Sequence, residues 1–148
     1  MNRSMLFEYT NVDIHGLPSI ANEIIRLLDS YPCLAISGEM GSGKTTFTRV
    51  LFESLGISAF EGSPTYSLIE PYVLPDGKKI YHIDAYRLES HDEAFLLGLD
   101  ELFEEKAYFV VEWPEKISNF LPMHSMYLSI TYDFSRNRNY TFHYGNES

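Results

Sequence analysis

The ten residues Ser37-Gly38-Glu39-Met40-Gly41-Ser42-Gly43-Lys44-Thr45-Thr46 follow directly on the apolar run Cys33-Leu34-Ala35-Ile36. Glycine packs no side chain and loses more backbone entropy on ordering than any other residue, so this stretch suits neither a strand interior nor a helix interior. Gly38, then four residues, then Gly43-Lys44-Thr45 completes the spacing of a loop whose backbone N–H groups wrap round an anion. Such a loop works only between a strand and a helix N-terminus, where the positive end of the helix dipole meets the anion. The chain is therefore constrained to an α/β sheet with the loop at a strand end. Gly38, Glu39, Met40, Gly41, Ser42, Gly43, Lys44, Thr45 and Thr46 are expected to hold the phosphates of a nucleoside triphosphate. Lys44 supplies charge to the β- and γ-phosphates, and the Thr45 hydroxyl is expected on Mg²⁺.

The flanking pattern agrees with that placement. Phe47, Val50, Leu51 and Leu55 share one helical face after Lys44, and Gly56 is placed to end the helix. Leu17 to Leu28 carries a second amphipathic helix, with Pro18 in its first turn. Leu6 to Tyr9 reads as a first strand. Tyr66 to Leu74 and Lys79 to Asp84 are strand-like and separated by Pro75-Asp76-Gly77, which predicts a β-hairpin. His91 to Phe103 reads as short helical pieces broken at Gly98. Tyr108 to Val111 is a wholly apolar strand, and Met126 to Thr131 with Asn139 to His143 are closing strands. The expected fold is an α/β, P-loop NTPase-like sheet, with a mostly parallel core, antiparallel hairpin and edge strands, and flanking helices. Residues 1–148 show no linker or repeat and are expected to form a single domain.

Composition narrows the function. Eleven Lys and Arg against 21 Asp and Glu leave a formal net charge of -10, and such a surface repels phosphate backbones. A nucleotide in a local pocket is still allowed, whereas stable binding of nucleic acid by this chain alone is not expected. No apolar run is long enough to span a bilayer, and the N-terminal residues lack the apolar core of a secretion signal, so a cytoplasmic protein with no membrane contact is expected. The single cysteine, Cys33, sits in the apolar strand and reads as a small buried hydrophobe. No guanine-reading Asn-Lys-x-Asp segment occurs, which favours ATP over GTP.

Phosphate chemistry needs more than the loop. Mg²⁺ wants an acid at the end of a neighbouring apolar strand, and two such strands end in Asp84 and Glu112. In open α/β sheets the ligand crevice lies at the carboxyl ends of the strands, where both acids fall. Lys44, Asp84 and Glu112 are the candidate catalytic residues, and Thr45, Asp84 and Glu112 the candidate metal ligands. General-base activation of water and simple orientation of water both remain open for the acids. Ser63-Pro64-Thr65 lies between the loop helix and the Asp84 strand, where a segment sensing the γ-phosphate or metal would lie, so Thr65 joins the nucleotide-binding set. Trp113 reads either as a core or rim aromatic or as a ring that contacts the nucleotide or a partner.

Assembled in order, the segment Gly38 to Thr46, then Ser63-Pro64-Thr65-Tyr66, His82-Ile83-Asp84-Ala85-Tyr86-Arg87-Leu88, Leu97-Gly98-Leu99 and Val111-Glu112-Trp113-Pro114-Glu115-Lys116, resembles the TsaE (YjeE) family over residues 5 to 135. The resemblance implies a P-loop ATPase required for the threonylcarbamoyladenosine modification of tRNA, acting with TsaB and TsaD and meeting tRNA only through them. It implies phosphate contacts from Gly38 to Thr45 and Mg²⁺ contacts from Thr45 and Glu112 assisted by Asp84. Thr65 falls in a first switch segment and Tyr86-Arg87 in a second. A basic residue near the C-terminus is expected at the nucleotide, with Arg136 and Arg138 both candidates, and residues near Thr10 to His15 are candidates for the adenine. Two other readings stand beside it: a small-molecule kinase, and a nucleotide-dependent interaction module whose hydrolysis is incidental.

Overall fold

The computed structural model describes residues 5–62, 68–133 and 137–145. Its elements are β1 (Met5–Tyr9), α1 (Leu17–Leu27), β2 (Cys33–Gly38), α2 (Lys44–Ser54), β3 (Ile69–Val73), β4 (Lys79–Asp84), α3 (His91–Leu96), α4 (Leu99–Leu102), β5 (Tyr108–Glu112), β6 (Ser125–Tyr132) and β7 (Arg138–Tyr144), with short 3-10 segments at Ile14–Gly16 and Pro114–Phe120. The strands form one sheet in the order β1-β7-β6-β2-β5-β4-β3. The four central strands β6, β2, β5 and β4 run parallel, while β3, β7 and β1 are added antiparallel at the two edges. The expected parallel core with antiparallel edges is thus the observed architecture.

The parallel strands are apolar on both faces, as strands covered by helices on both sides must be. Period-two alternation sends Leu34, Ile36, Ile80 and Val110 toward α1 and α2, where they meet Ile20, Ile24, Phe47, Leu51 and Phe52. The intervening Cys33, Tyr81, Ile83, Phe109 and Val111 face the opposite side, with Ala94, Leu99 and Ile117 over them. Cys33 is fully buried there, and burial pushes its thiol up to about 12, so it behaves as the small hydrophobe expected.

Two punctuation marks in the sequence act as anticipated. Gly56 closes α2 with a positive φ of 90°, its N–H donating to Glu53 and the Ile57 N–H donating back to the Phe52 carbonyl at 2.9 Å. Asp76 and Gly77 turn the β3–β4 hairpin, where the Leu74 N–H donates to the Lys78 carbonyl at 2.8 Å. Strand β3 begins at Ile69; Tyr66, where that strand was expected to start, lies outside the described residues. Among the described residues no helix is long and apolar enough to cross a membrane.

Phe52 ties α2 to the hairpin. It is fully buried, and its ring stands edge-on to Phe60 and Tyr72 at 5.0 Å from each. Phe52→Ala should therefore lower unfolding free energy by about 3–5 kcal/mol, read as a drop in denaturation midpoint at unchanged denaturant slope. A loss under about 1 kcal/mol would show that this aromatic cluster does not anchor the helix.

Candidate functional site

The loop leaves β2 at Gly38 and enters α2 at Lys44, turning through left-handed backbone at Gly41 (φ 80°) and Gly43 (φ 110°). At Gly43 a side chain would be strained and would also press on Arg138, whose Nε lies 3.3 Å from the position of a Cβ. Helix α2 then opens with no side-chain cap, so its first N–H groups have no intrahelical acceptors and face outward from the helix end. Lys44 is 6% exposed, and its Nζ donates to the Gly38 carbonyl at 2.6 Å and the Glu39 carbonyl at 3.0 Å. Burial pulls its pKa down, against the upward pull of Glu112, Asp84 and Glu115.

A cavity of about 340 Å³ opens at this point, lined by Met40, Gly41 and Gly43 to Thr46 from the loop and helix, by Asp84, Glu112 and Arg138 from other strands, and by Tyr86 and Trp113 just beyond two of them. The two acids arrive together because β4 and β5 are parallel and in register, with Asp84 opposite Glu112, which is itself paired with Ile36 of β2. Glu112 is 2% exposed and its Oε2 lies 2.5 Å from His82 Nε2. His82 is fully buried against the rings of Phe52 and Phe60. Asp84 is partly exposed and accepts the Tyr86 N–H at 3.1 Å. Its carboxyl is raised above the usual range, chiefly by burial and further by the Glu112 carboxylate, with the Tyr86 N–H pulling the other way.

Two more side chains close the cavity. Strand β6 runs two residues past the point where Ile130 pairs with Gly38, and β7 begins opposite its end, so Tyr132 and Arg138 overhang the loop. The Tyr132 hydroxyl donates to the Gly41 carbonyl, and Arg138 Nε donates to the Ser42 carbonyl at 2.9 Å. From the other side, Trp113 adopts a left-handed backbone (φ 59°) just after β5. That turn sets its ring 4.4 Å beneath the Lys44 ammonium and 4.9 Å from the Tyr86 ring.

Lys44, Thr45, Thr46, Met40, Gly41, Gly43, Asp84 and Glu112 are thus gathered on one cavity. Gly38, Glu39 and Ser42 instead line a second cavity of about 510 Å³, which shares Trp113 with the first and is otherwise walled mostly by β6. Thr65 and Arg136 lie outside the described residues. The segment Thr10 to His15, a candidate for the adenine, does not line this cavity: Thr10 to Asp13 line a separate one of about 390 Å³ with Ser19 and Ile20, tied to β7 by the Val12 N–H, which donates to the Arg138 carbonyl at 2.9 Å. No local pattern gives His82 or Tyr132 a role, and the sequence leaves Arg138 as one of two candidates. The position of His82 two residues before Asp84, hence on the same strand face, was the signal available for it.

Comparison with known proteins falls in line with this geometry. The family model for the threonylcarbamoyl adenosine biosynthesis protein TsaE matches residues 13–140. The tRNA threonylcarbamoyladenosine biosynthesis protein TsaE of Bacillus subtilis is 40% identical over 112 residues, covering 74% of this chain and 67% of that protein. Its counterpart in Haemophilus influenzae is 38% identical over 69% of this chain, and the chain spans 65% of that protein's length. The Treponema pallidum protein of the same name is 32% identical over 78% of this chain and 84% of its own length. The crystal structure of Bacillus subtilis YdiB superposes with a TM-score of 0.70 at 29% identity, covering 97% of this chain and 87% of the other. A match that begins at Asp13, before the phosphate loop, and runs through Arg138 and Tyr140 spans every wall of the cavity, and the chain belongs to the TsaE family of tRNA threonylcarbamoyladenosine biosynthesis proteins.

Proposed function

We propose that residues 1–148 act as one Mg²⁺-dependent ATPase domain, which supports threonylcarbamoyladenosine modification of tRNA in company with TsaB and TsaD homologues. The observation that carries this reading is the meeting of Lys44, at the head of α2, with Asp84 and Glu112 from two register-matched strands on one cavity. The donor set fits the group: a cation, a helix N-terminus and an arginine for phosphates, and two carboxylates with the Thr45 hydroxyl for a hard divalent cation. Bound Mg·ATP would supply the scissile phosphoanhydride and the metal that neutralises its charge.

The roles of the chain's own residues follow from their surroundings. Lys44 exchanges the Gly38 and Glu39 carbonyls for phosphate oxygens, and its partial burial strengthens that interaction. Glu112 and Asp84 are held apart in function by their partners. Glu112 is fixed by His82 and suits the metal or its water, while Asp84, more exposed and tethered by the Tyr86 N–H, suits orientation of the attacking water. Arg138 braces the loop through Ser42 and presents its charge to the same cavity. The acidic surface keeps tRNA at a distance, so contact with tRNA is made by the partners.

Phosphate release with and without purified TsaB–TsaD partners tests the reading. Release should be slow alone and rise on their addition, and Lys44→Ala should weaken ATP binding by about 10- to 100-fold, the worth of a charge-assisted contact. Unchanged ATP affinity in that variant would remove the phosphates from Lys44. A phosphorylated acceptor in place of free phosphate would make the protein a kinase instead.

His82 separates positioning from binding. His82→Ala should slow turnover by about tenfold or more while ATP affinity without metal stays near that of wild type, and His82→Gln, which keeps an N–H donor, should recover part of the rate. Equal rates in all three proteins would show that Glu112 needs no brace.

The raised pKa of Asp84 has a definite sign. Folding opposes its ionisation, so its unfavourable contribution is absent below the ordinary Asp range and grows as pH rises through the folded-state value. Asp84→Asn should therefore melt at a higher temperature than wild type near neutral pH without nucleotide, and the gap should vanish at about pH 3. A variant that is less stable at neutral pH would contradict this.

A further inference from the structure

Helix α3 and the turn into α4 carry an apolar ridge that the core does not use. The buried side of this region is supplied by Ala94 and Leu99, whereas Phe95, Leu96 and Leu97 are 60%, 83% and 50% exposed. A single exposed leucine is ordinary, but three consecutive large apolar residues facing water are not. The rim has the opposite character. Residues 89–105 hold seven of the chain's 21 acids and no Lys or Arg, and Asp92, Glu93, Asp100 and Glu101 are all exposed beside the ridge. An apolar centre ringed by charge is the anatomy of a protein interface.

From this we propose that the ridge at Phe95, Leu96 and Leu97 is the docking face for the partner proteins, and that it takes a surface with an apolar centre and a rim of Lys and Arg. The inference rests on the partnership proposed above and adds where and by what chemistry the partner binds. The sign of the rim selects the occupant. Nucleic acid and anionic lipid are repelled by it, and a second copy of this chain would set acid against acid. A basic protein rim is complementary, and it also accelerates encounter.

The ridge is mechanically close to the candidate site. Strand β4 ends at Asp84, the chain continues through Tyr86, whose ring packs on Trp113, and Ser90 caps α3 by accepting the Glu93 N–H at 3.3 Å. Trp113 in turn lies under Lys44. A partner seated on α3 therefore holds the far end of the segment that carries Asp84, and a rearrangement around Asp84 alters the surface the partner meets.

The test measures binding of the full chain to the purified TsaB–TsaD complex of the same organism, at low and high ionic strength, for wild type, Leu96→Lys, Phe95→Ser and Glu101→Lys. All three positions are exposed and away from the cavity, so melting temperature and intrinsic phosphate release should be unchanged. Wild-type affinity should fall with salt, Leu96→Lys and Phe95→Ser should bind at least about tenfold more weakly, and Glu101→Lys should slow association. If wild type binds and the ridge variants bind equally well, the ridge is overturned while the partnership stands. If wild type does not bind at all, the partnership fails and the ridge falls with it. A concentration-dependent dimer of wild type that Leu96→Lys dissolves would assign the ridge to a second copy and overturn the proposal.

Discussion

The register between β4, β5 and β2 governs everything around the cavity. Asp84 pairs with Glu112, and Glu112 with Ile36, so the two acids and the start of the loop leave the sheet at one level. The register is enforced from both faces at once. Ile80, Val110 and Ile36 are buried under α1 and α2, while Tyr81, Ile83, Phe109 and Val111 are buried on the reverse. A slip of one residue would exchange the faces of a whole strand, sending His82 and Asp84 away from α2 and bringing Tyr81 and Ile83 toward it. Apolar packing thus aligns the polar groups, although none of the packing residues touches the cavity.

The site so aligned is electrostatically expensive. Glu112 is nearly inaccessible, Asp84 is raised by its burial, and Lys44 is depressed by its own. His82, Trp113 and the loop carbonyls moderate these charges without neutralising all of them. Trp113 adds backbone strain of roughly 1–3 kcal/mol, typical of a non-glycine residue held at positive φ. Charges and strain of this kind weaken the fold, and they are the features expected where stability has yielded to binding.

What the sequence disclosed depended on the range of the interaction involved. The strand–loop–helix unit, the turn at Pro75-Asp76-Gly77 and the helix break at Gly98 are local, and each was readable from residues a few positions apart. The two acids were readable because each ends a conspicuous apolar strand. His82 was half legible: its face followed from alternation, but its bond to Glu112 spans 30 residues and depends on β4 lying beside β5. Arg138 and Tyr132 were hidden, because their place over the loop depends on β6 lying beside β2 and on β7 pairing with it in one register. No local pattern states that order. Trp113 was ambiguous for a related reason, since only its left-handed turn decides that the ring faces Lys44.

The cavity walls also differ in how they are anchored, which bears on how a nucleotide signal would travel. The loop is fastened on three sides, by Lys44 to its own carbonyls, by Tyr132 to Gly41 and by Arg138 to Ser42. The opposite wall beyond Asp84 is lighter: Tyr86 is exposed, its N–H donates to the Asp84 carboxylate and its ring packs on Trp113. If phosphates bind beside Lys44 as proposed, their charge would act on the groups that bear on that ammonium, the Asp84 carboxylate through its Coulomb attraction and the Trp113 ring beneath it. On that proposal the lightly tied segment from Asp84 to Tyr86 would yield before the loop does, and it continues along the chain to Ser90 and α3. The acidic, apolar-crested surface at α3 is thus joined by the chain to the wall that a bound nucleotide would press on under the proposed function.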